Sequence, residues 1–225
     1  MHRCFRCFSG SEDKFPVHFK EQGSYVGGLF TFKSKYEDEY LNRFNSKVEK
    51  MFQSIGVKEG AIWIELFHDG DNYYFNEVGF RPGGSVSIYP VDYMSGINQL
   101  AADMHYALTG ESKVYGHTSL IPLSYERGLN YAVYPIFVRA GVISEIKDLE
   151  MLDKNVVFHT VTKPLGYNME ETGSFAQILI LVHFIYRDKS DLLNWIEYLH
   201  NNIQVLDADG QNMVIRKLDV NEIDL

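Results

Sequence analysis

The chain has 225 residues, 45% of them apolar and 14% aromatic, and a formal net charge of −9. That composition builds a real core in one large domain or two small ones, and the acidic balance argues against a nucleic-acid backbone or an anionic membrane as main partner. The longest apolar run, residues 176–186, is broken by Gln177 and His183 and is too short to span a bilayer.

Residues 1–22 are polar and irregular, with no apolar stretch of signal-peptide length, so the chain reads as cytoplasmic. Cys4 and Cys7 have CxxC spacing, which suits a redox pair or half of a zinc site. A redox motif needs a βαβ context, and a zinc site needs two more ligands, for which only His2 and His18 are near. The pair therefore reads first as reduced cysteines in an irregular leader.

A short strand is expected at 25–32, with Gly27 and Gly28 marking a bend. An amphipathic helix follows at 37–54. Leu41, Phe44, Val48, Met51, Phe52 and Ile55 recur at three- and four-residue steps, and Gly56 stops it. The runs AIWIELFH (61–68) and NYYFNEVGF (72–80) flank Asp69-Gly70-Asp71, which predicts a β-hairpin. RPGGS (81–85) reads as a rigid glycine-rich loop. A second helix is expected at 95–109, capped by Ser95, stopped by Gly110, with Ile97, Leu100, Ala101, Met104 and Leu108 facing the core. A subdomain boundary is placed near 111–125. Beyond it come strands at 130–138, 142–146, 156–162 and 175–186, a helix at 190–201 and a last strand at 213–218. No internal repeat is present.

The hairpin carries the chemistry. Side chains alternate faces along a strand, so Ala61, Trp63, Glu65 and Phe67 share one face. On the second strand Tyr73, Phe75, Glu77, Gly79 and Arg81 share one. A loop of Gly70–Asn72 sets Glu65 directly opposite Glu77. Opposed carboxylates repel, and a hard divalent ion such as Mg2+ relieves the repulsion. Arg81, four residues after Glu77, can neutralise a carboxylate or a phosphate with its planar fork. From the pattern alone, a surface hairpin with solvated glutamates is about equally open. Gly83-Gly84-Ser85 offers backbone N–H groups to an anion, or a tight turn into the next helix. Asp69 and Asp71 read as turn formers, His105 as a surface or half-buried residue, and His159 and His183 as packing residues. Lys33, Lys35, Arg139 and Lys163 read as surface charges.

Residues 64–85 (IELFHDGDNYYFNEVGFRPGGS) and 93–111 (YMSGINQLAADMHYALTGE) together resemble the ATP-grasp superfamily. The resemblance is to its carboxylate–amine ligase branch, which includes amino-acid ligases and carbamoyl-phosphate-synthase-like proteins. It implies an α+β fold: the C-terminal half of an ATP-grasp domain, antiparallel sheet with helices (23–114), and a small β-rich C-terminal subdomain (115–225), after a leader (1–22). It implies ATP and Mg2+, with Glu65 and Glu77 as metal ligands and Phe67 against the adenine. Arg81 would be the catalytic residue, steadying the transferred phosphate, and Gly83, Gly84 and Ser85 would join it in contacting substrate. The implied reaction phosphorylates a small-molecule carboxylate, and an amine then displaces the phosphate.

Two departures stand out. The family usually has an asparagine where this chain has Gly79. The lysine-bearing front half has no counterpart here. The expectation is a C-terminal fragment, or a subunit whose N-terminal half is a separate chain, with a homo-oligomer also open because the missing half would leave apolar surface exposed. The alternative is a non-catalytic binding or scaffold domain.

Overall fold

The computed structural model describes residues 28–32, 34, 36–58, 60–69, 71–111, 113 and 128–215. The leader with Cys4 and Cys7, Gly27, Lys33, Lys35, Gly70 and most of the expected 111–125 connection lie outside the described residues. The described residues divide into two compact units, one taking those from Phe32 to Gly128 and the other residues 28–31 with those from Leu129 onward. No helix among the described residues is long and apolar enough to cross a membrane.

The first unit opens with α1 (Glu37–Tyr40), a wider π turn (Leu41–Asn45) and α2 (Ser46–Ser54) as one continuous helical stretch. The apolar residues it turns to the core are spaced by four: buried Tyr40, Val48 and Phe52, with half-buried Phe44 between them. A strict four-residue series drifts around an ordinary α-helix of 3.6 residues per turn. The π turn takes up that drift and keeps the series on one side. Leu41, Met51 and Ile55, expected on the apolar face, are exposed instead. Ile62, Ile64 and Leu66 complete this core from the hairpin.

The hairpin is β2 (Trp63–His68) and β3 (Tyr73–Gly79), a two-stranded antiparallel sheet. After it, α3 (Ser85–Ser95) begins where only a loop was expected, with Gly84 as its N-cap. The expected second helix is α4 (Gln99–Thr109), four residues shorter at its start. Ser95 ends α3 and is not the cap. That role belongs to Asn98, whose side chain accepts a 2.9 Å bond from the Ala101 N–H. Gly110, at φ 72°, stops α4 as expected. Of the stripe assigned to the core, Leu100, Met104 and, at 83%, Leu108 are exposed, while Ile97 and Ala101 are half-buried. The buried side of α4 instead carries Gln99, and half-buried Asp103 accepts from the Ala61 N–H.

The second unit is a four-stranded sheet ordered β1 (Phe30–Phe32), β4 (Asn130–Phe137), β9 (Ile178–Tyr186), β7 (Phe158–Val161). The two central strands are almost wholly buried, which is why they read as continuous apolar runs. The amphipathic α6 (Lys189–Asn202), capped by Asp188, contributes Leu192, Ile196 and Leu199 to their core. The shorter α5 (Leu149–Asn155) adds Leu152.

The expected strand 142–146 is two strands. β5 (Gly141–Val142) pairs with β8 (Asn168–Met169), and β6 (Glu145–Lys147) pairs with β10 (Gln204–Leu206). Between them Ile143 donates to the Tyr167 carbonyl and Ser144 to that of Leu206, so the chain changes partner within two residues. Residues 175–177 form a 3₁₀ turn before β9. The fully buried Gln177 ties the region together. Its Oε1 accepts from the Thr172 and Gly173 N–H groups at 2.9 and 2.6 Å, and its Nε2 donates to the Val138 carbonyl at 3.0 Å and to Glu171 at 3.1 Å. The expected strand at 213–218 is represented by the Val138–Val214 bridge, and 216–218 lie outside the described residues.

Candidate functional site

Trp63, Ile64 and Glu65 lie opposite Gly79, Val78 and Glu77, so the two carboxylates are directly paired across the hairpin. Ile64, Leu66 and His68 turn inward and are buried, while Phe67 on the other side is 41% exposed. The anchoring inner face is thus apolar and the carboxylate face is open.

The pairing is reached by a different route from the one the alternation suggests. The turn runs from Asp69 to Asn72, closed by an Asp69 N–H bond to the Asn72 carbonyl. His68, Phe67 and Leu66 therefore face Tyr73, Tyr74 and Phe75, and a bulge then intervenes before Glu65 meets Glu77. Asn76 is the extra residue. Tyr73 and Phe75 consequently lie on the side of Leu66 and His68, where both make edge contacts with Phe44. It is Tyr74 that shares the face of Phe67, Glu65 and Glu77. The expected placement of Tyr73 and Phe75 beside Glu77 is corrected accordingly.

Asp69 confirms its role as a turn former. Its Oδ1 accepts from the Asp71 and Asn72 N–H groups and its Oδ2 from the Tyr74 hydroxyl. The Asn72 and Asp71 N–H groups, then Tyr74, hold its carboxyl well below the usual range, and the same bond raises the Tyr74 hydroxyl.

Each paired glutamate has one polar neighbour described. Asn76 Nδ2 donates to Glu65 Oε1 at 2.6 Å. Arg81 approaches Glu77 Oε1 at 3.9 Å, both side chains being more than half exposed. Arg81 also lies over the Trp63 ring, 5.1 Å from its centre, and bonds the Pro82 carbonyl. A Cβ on residue 79 would sit 3.2 Å from Arg81 Nε and 3.3 Å from its Cγ. The guanidinium chain thus folds back over Gly79 onto Trp63, its cross-strand partner. Glycine suits that fold-back, since a Cβ here would need the Arg81 side chain to give by a few tenths of an ångström.

Gly83 is buried. A Cβ there would be 2.0 Å from Ser87 Oγ and 3.1 Å from Trp63 Cδ1, so the loop has room for glycine alone. Gly84, extended at ψ −178°, starts α3, whose first turn is closed by the Ser87 N–H bond to the Gly84 carbonyl. Gly83, Gly84 and Ser85 therefore lead into the N-terminus of an 11-residue helix. Such a terminus presents free N–H groups and partial positive charge, which suit an anion.

Two opposed carboxylates with open oxygens fit a hard cation that completes its shell with water and phosphate. Among the described residues no group of three or more His, Cys, Asp or Glu is gathered for a metal. The fit therefore rests on the Glu65–Glu77 pair alone. Glu65, Glu77, Phe67 and Arg81 are brought to one hairpin face or its immediate continuation. Asn76, Trp63 and Tyr74 join them without having been singled out in the sequence. Asparagine is poorly suited to strand interiors, and that was the available signal for the bulge.

The remaining candidates sit elsewhere. His105 is half-buried on α4 and His159 half-buried on β7. His183 is buried on β9, its Nδ1 3.1 Å from the Tyr131 hydroxyl, and burial pushes its imidazole down to about 4. Arg139 is ion-paired with Asp207, whose carboxyl it lowers, and Lys163 lies over the Tyr167 ring.

No protein-family model and no curated protein matches the sequence. Solved structures do match the fold. An L-amino acid ligase from Bacillus licheniformis superposes with TM-score 0.63 at 21% identity, over 84% of this chain and 45% of that one. A phosphoribosylglycinamide synthetase from Anaerococcus prevotii gives TM-score 0.64 at 14% identity, over 86% and 47%. Both are ATP-grasp enzymes. The chain spans just under half the length of the structures it matches, and what it carries is part of an ATP-grasp fold.

Proposed function

We propose that this chain is the C-terminal part of an ATP-grasp carboxylate–amine ligase, completed by a lysine-bearing front half. The observation that carries the reading is the direct opposition of Glu65 and Glu77 on an open hairpin face. Arg81 and the start of α3 come next along the chain. The exposed apolar residues of α4 and of β3 (Phe75, Val78) support an incomplete unit.

In this reading Glu65 and Glu77 hold Mg2+, and Phe67 packs against the adenine. Arg81 binds the transferred phosphate through its fork, and the Gly83, Gly84 and Ser85 backbone binds phosphate or the substrate carboxylate. Bound Mg2+ would supply charge neutralisation and alignment of the ATP phosphates. A carboxylate oxygen attacks the γ-phosphorus and ADP leaves. An amine then attacks the acyl carbon and phosphate leaves.

The test is thermal melting of the chain with ADP and increasing Mg2+. A specific site raises the midpoint by mass action, and Glu77→Gln abolishes the rise. No rise in the wild-type chain overturns nucleotide binding by this part alone. The second reading, a non-catalytic ATP-grasp-like binding or scaffold domain, draws on Gly79 and on Arg81 lying against Trp63. A midpoint that rises with ADP equally in wild type and Glu77→Gln favours it.

A further inference from the structure

We infer that Asn76 is a positioning residue for the carboxylate pair, by its place in the strand and by its side chain. The inference rests on the metal reading of Glu65 and Glu77. The first argument is one of register. From the turn, the ladder runs His68 with Tyr73, Phe67 with Tyr74 and Leu66 with Phe75. Continued without interruption, it would set Glu65 against Asn76 and Ile64 against Glu77. Glu77 would then point to the side of Ile64, which is 1% exposed. Because the side-chain period is two, one inserted residue moves every later side chain to the opposite face. Asn76 is the extra residue, and because the bulge takes it out of the pairing, Glu77 keeps to the face of Glu65.

The second argument is the contact. Asn76 Nδ2 donates to Glu65 Oε1 at 2.6 Å. An amide offers a donor without adding a charge, so it fixes one carboxylate without competing for the cation as a lysine would. Opposed glutamates otherwise repel, and a neutral donor on one of them limits the ways they turn apart. The residue left unpaired by the bulge is thus the one that restrains the ligand. Partners of metal ligands that act in this way typically change affinity tenfold or more when lost.

The test uses the full chain and Mn2+, with free ion followed by electron paramagnetic resonance. Asn76→Ala keeps the residue count and removes the amide, and it is expected to weaken Mn2+ binding about tenfold with the metal-free melting midpoint unchanged. Deleting Asn76 lets Glu77 follow Phe75 in the ladder, still opposite Glu65, and is expected to weaken binding as Asn76→Ala does, because it too removes the amide. In a Glu65→Gln background Asn76→Ala should have no further effect, because its partner is already gone. Equal Mn2+ affinity in wild type and Asn76→Ala overturns the inference. So does a loss that persists undiminished in the Glu65→Gln background. A metal-free measurement separates this from the reading beneath it. The Asn76 side-chain amide resonance should move on Glu65→Gln. If wild type binds no Mn2+, the metal reading falls and the positioning role with it. The amide resonance then still shows whether the Asn76–Glu65 bond exists, and an unmoved resonance overturns the inference even where Mn2+ binds.

Discussion

Acidification should destabilise the second unit through His183. The ring is buried on β9 at 1% exposure, faces the Tyr131 hydroxyl, and has Phe158 at its edge. Burial lowers its pKa from 6.5 to about 4. In the unfolded chain the ring takes up a proton below its ordinary value, while in the fold it stays neutral down to the lower one. Stability is therefore full above the unfolded pKa and falls as pH drops through the interval between the two. The linkage relation gives a loss of about 2 kcal/mol near pH 5 and about 3 kcal/mol near pH 4, levelling off below. The assay is urea unfolding at a series of pH values. Trp195, stacked on Phe184 beside this strand, serves as the reporter in a Trp63→Phe background. His183→Gln should be less stable at neutral pH and should lose most of the dependence between pH 6.5 and 4. An identical pH dependence in wild type and His183→Gln refutes the argument.

Gly83→Ala drives a Cβ against Ser87 and Trp63 and should destabilise the first unit by about 1–3 kcal/mol, read from Trp63 emission in a Trp195→Phe background. Gln177→Leu strips partners from the Thr172 and Gly173 N–H groups and from the Val138 carbonyl. It should cost at least about 3 kcal/mol in urea unfolding of the second unit, a loss near zero being the contrary result.

The long elements were legible for physical reasons. The doubly buried β4 and β9 are apolar apart from Asn130 and His183, and the face of α6 repeats at helical spacing. β5, β6, β8 and β10 have two or three residues each, too few to show a period. α3 was hidden by its own composition. SVSIYPVDYMS is rich in β-branched and aromatic residues and has Pro90 inside, a poor helix on propensity. For α4, Ser95 and Asn98 both offer a capping oxygen, and the sequence does not choose between them. The Glu65–Glu77 pair was predicted correctly through two departures that cancel. The turn takes in Asp69, one residue more than expected, and the bulge at Asn76 adds one to the opposite strand. Toward the turn, before the bulge, no cancellation occurs, and there Tyr73 and Phe75 were placed on the wrong side.

The π turn at Leu41–Asn45 makes a statement about descent. An α-helix advances about 100° per residue, so a one-residue deletion there would convert the turn to ordinary helix and swing Tyr40 away from Phe44, Val48 and Phe52. Tyr40 is 2% exposed and has nowhere to go without unpacking the hairpin beneath it. Among related chains, then, a gap at this point should never occur alone. It should be accompanied by a new large apolar residue one position away, and such paired changes would mark the lineage in which the extra residue was gained.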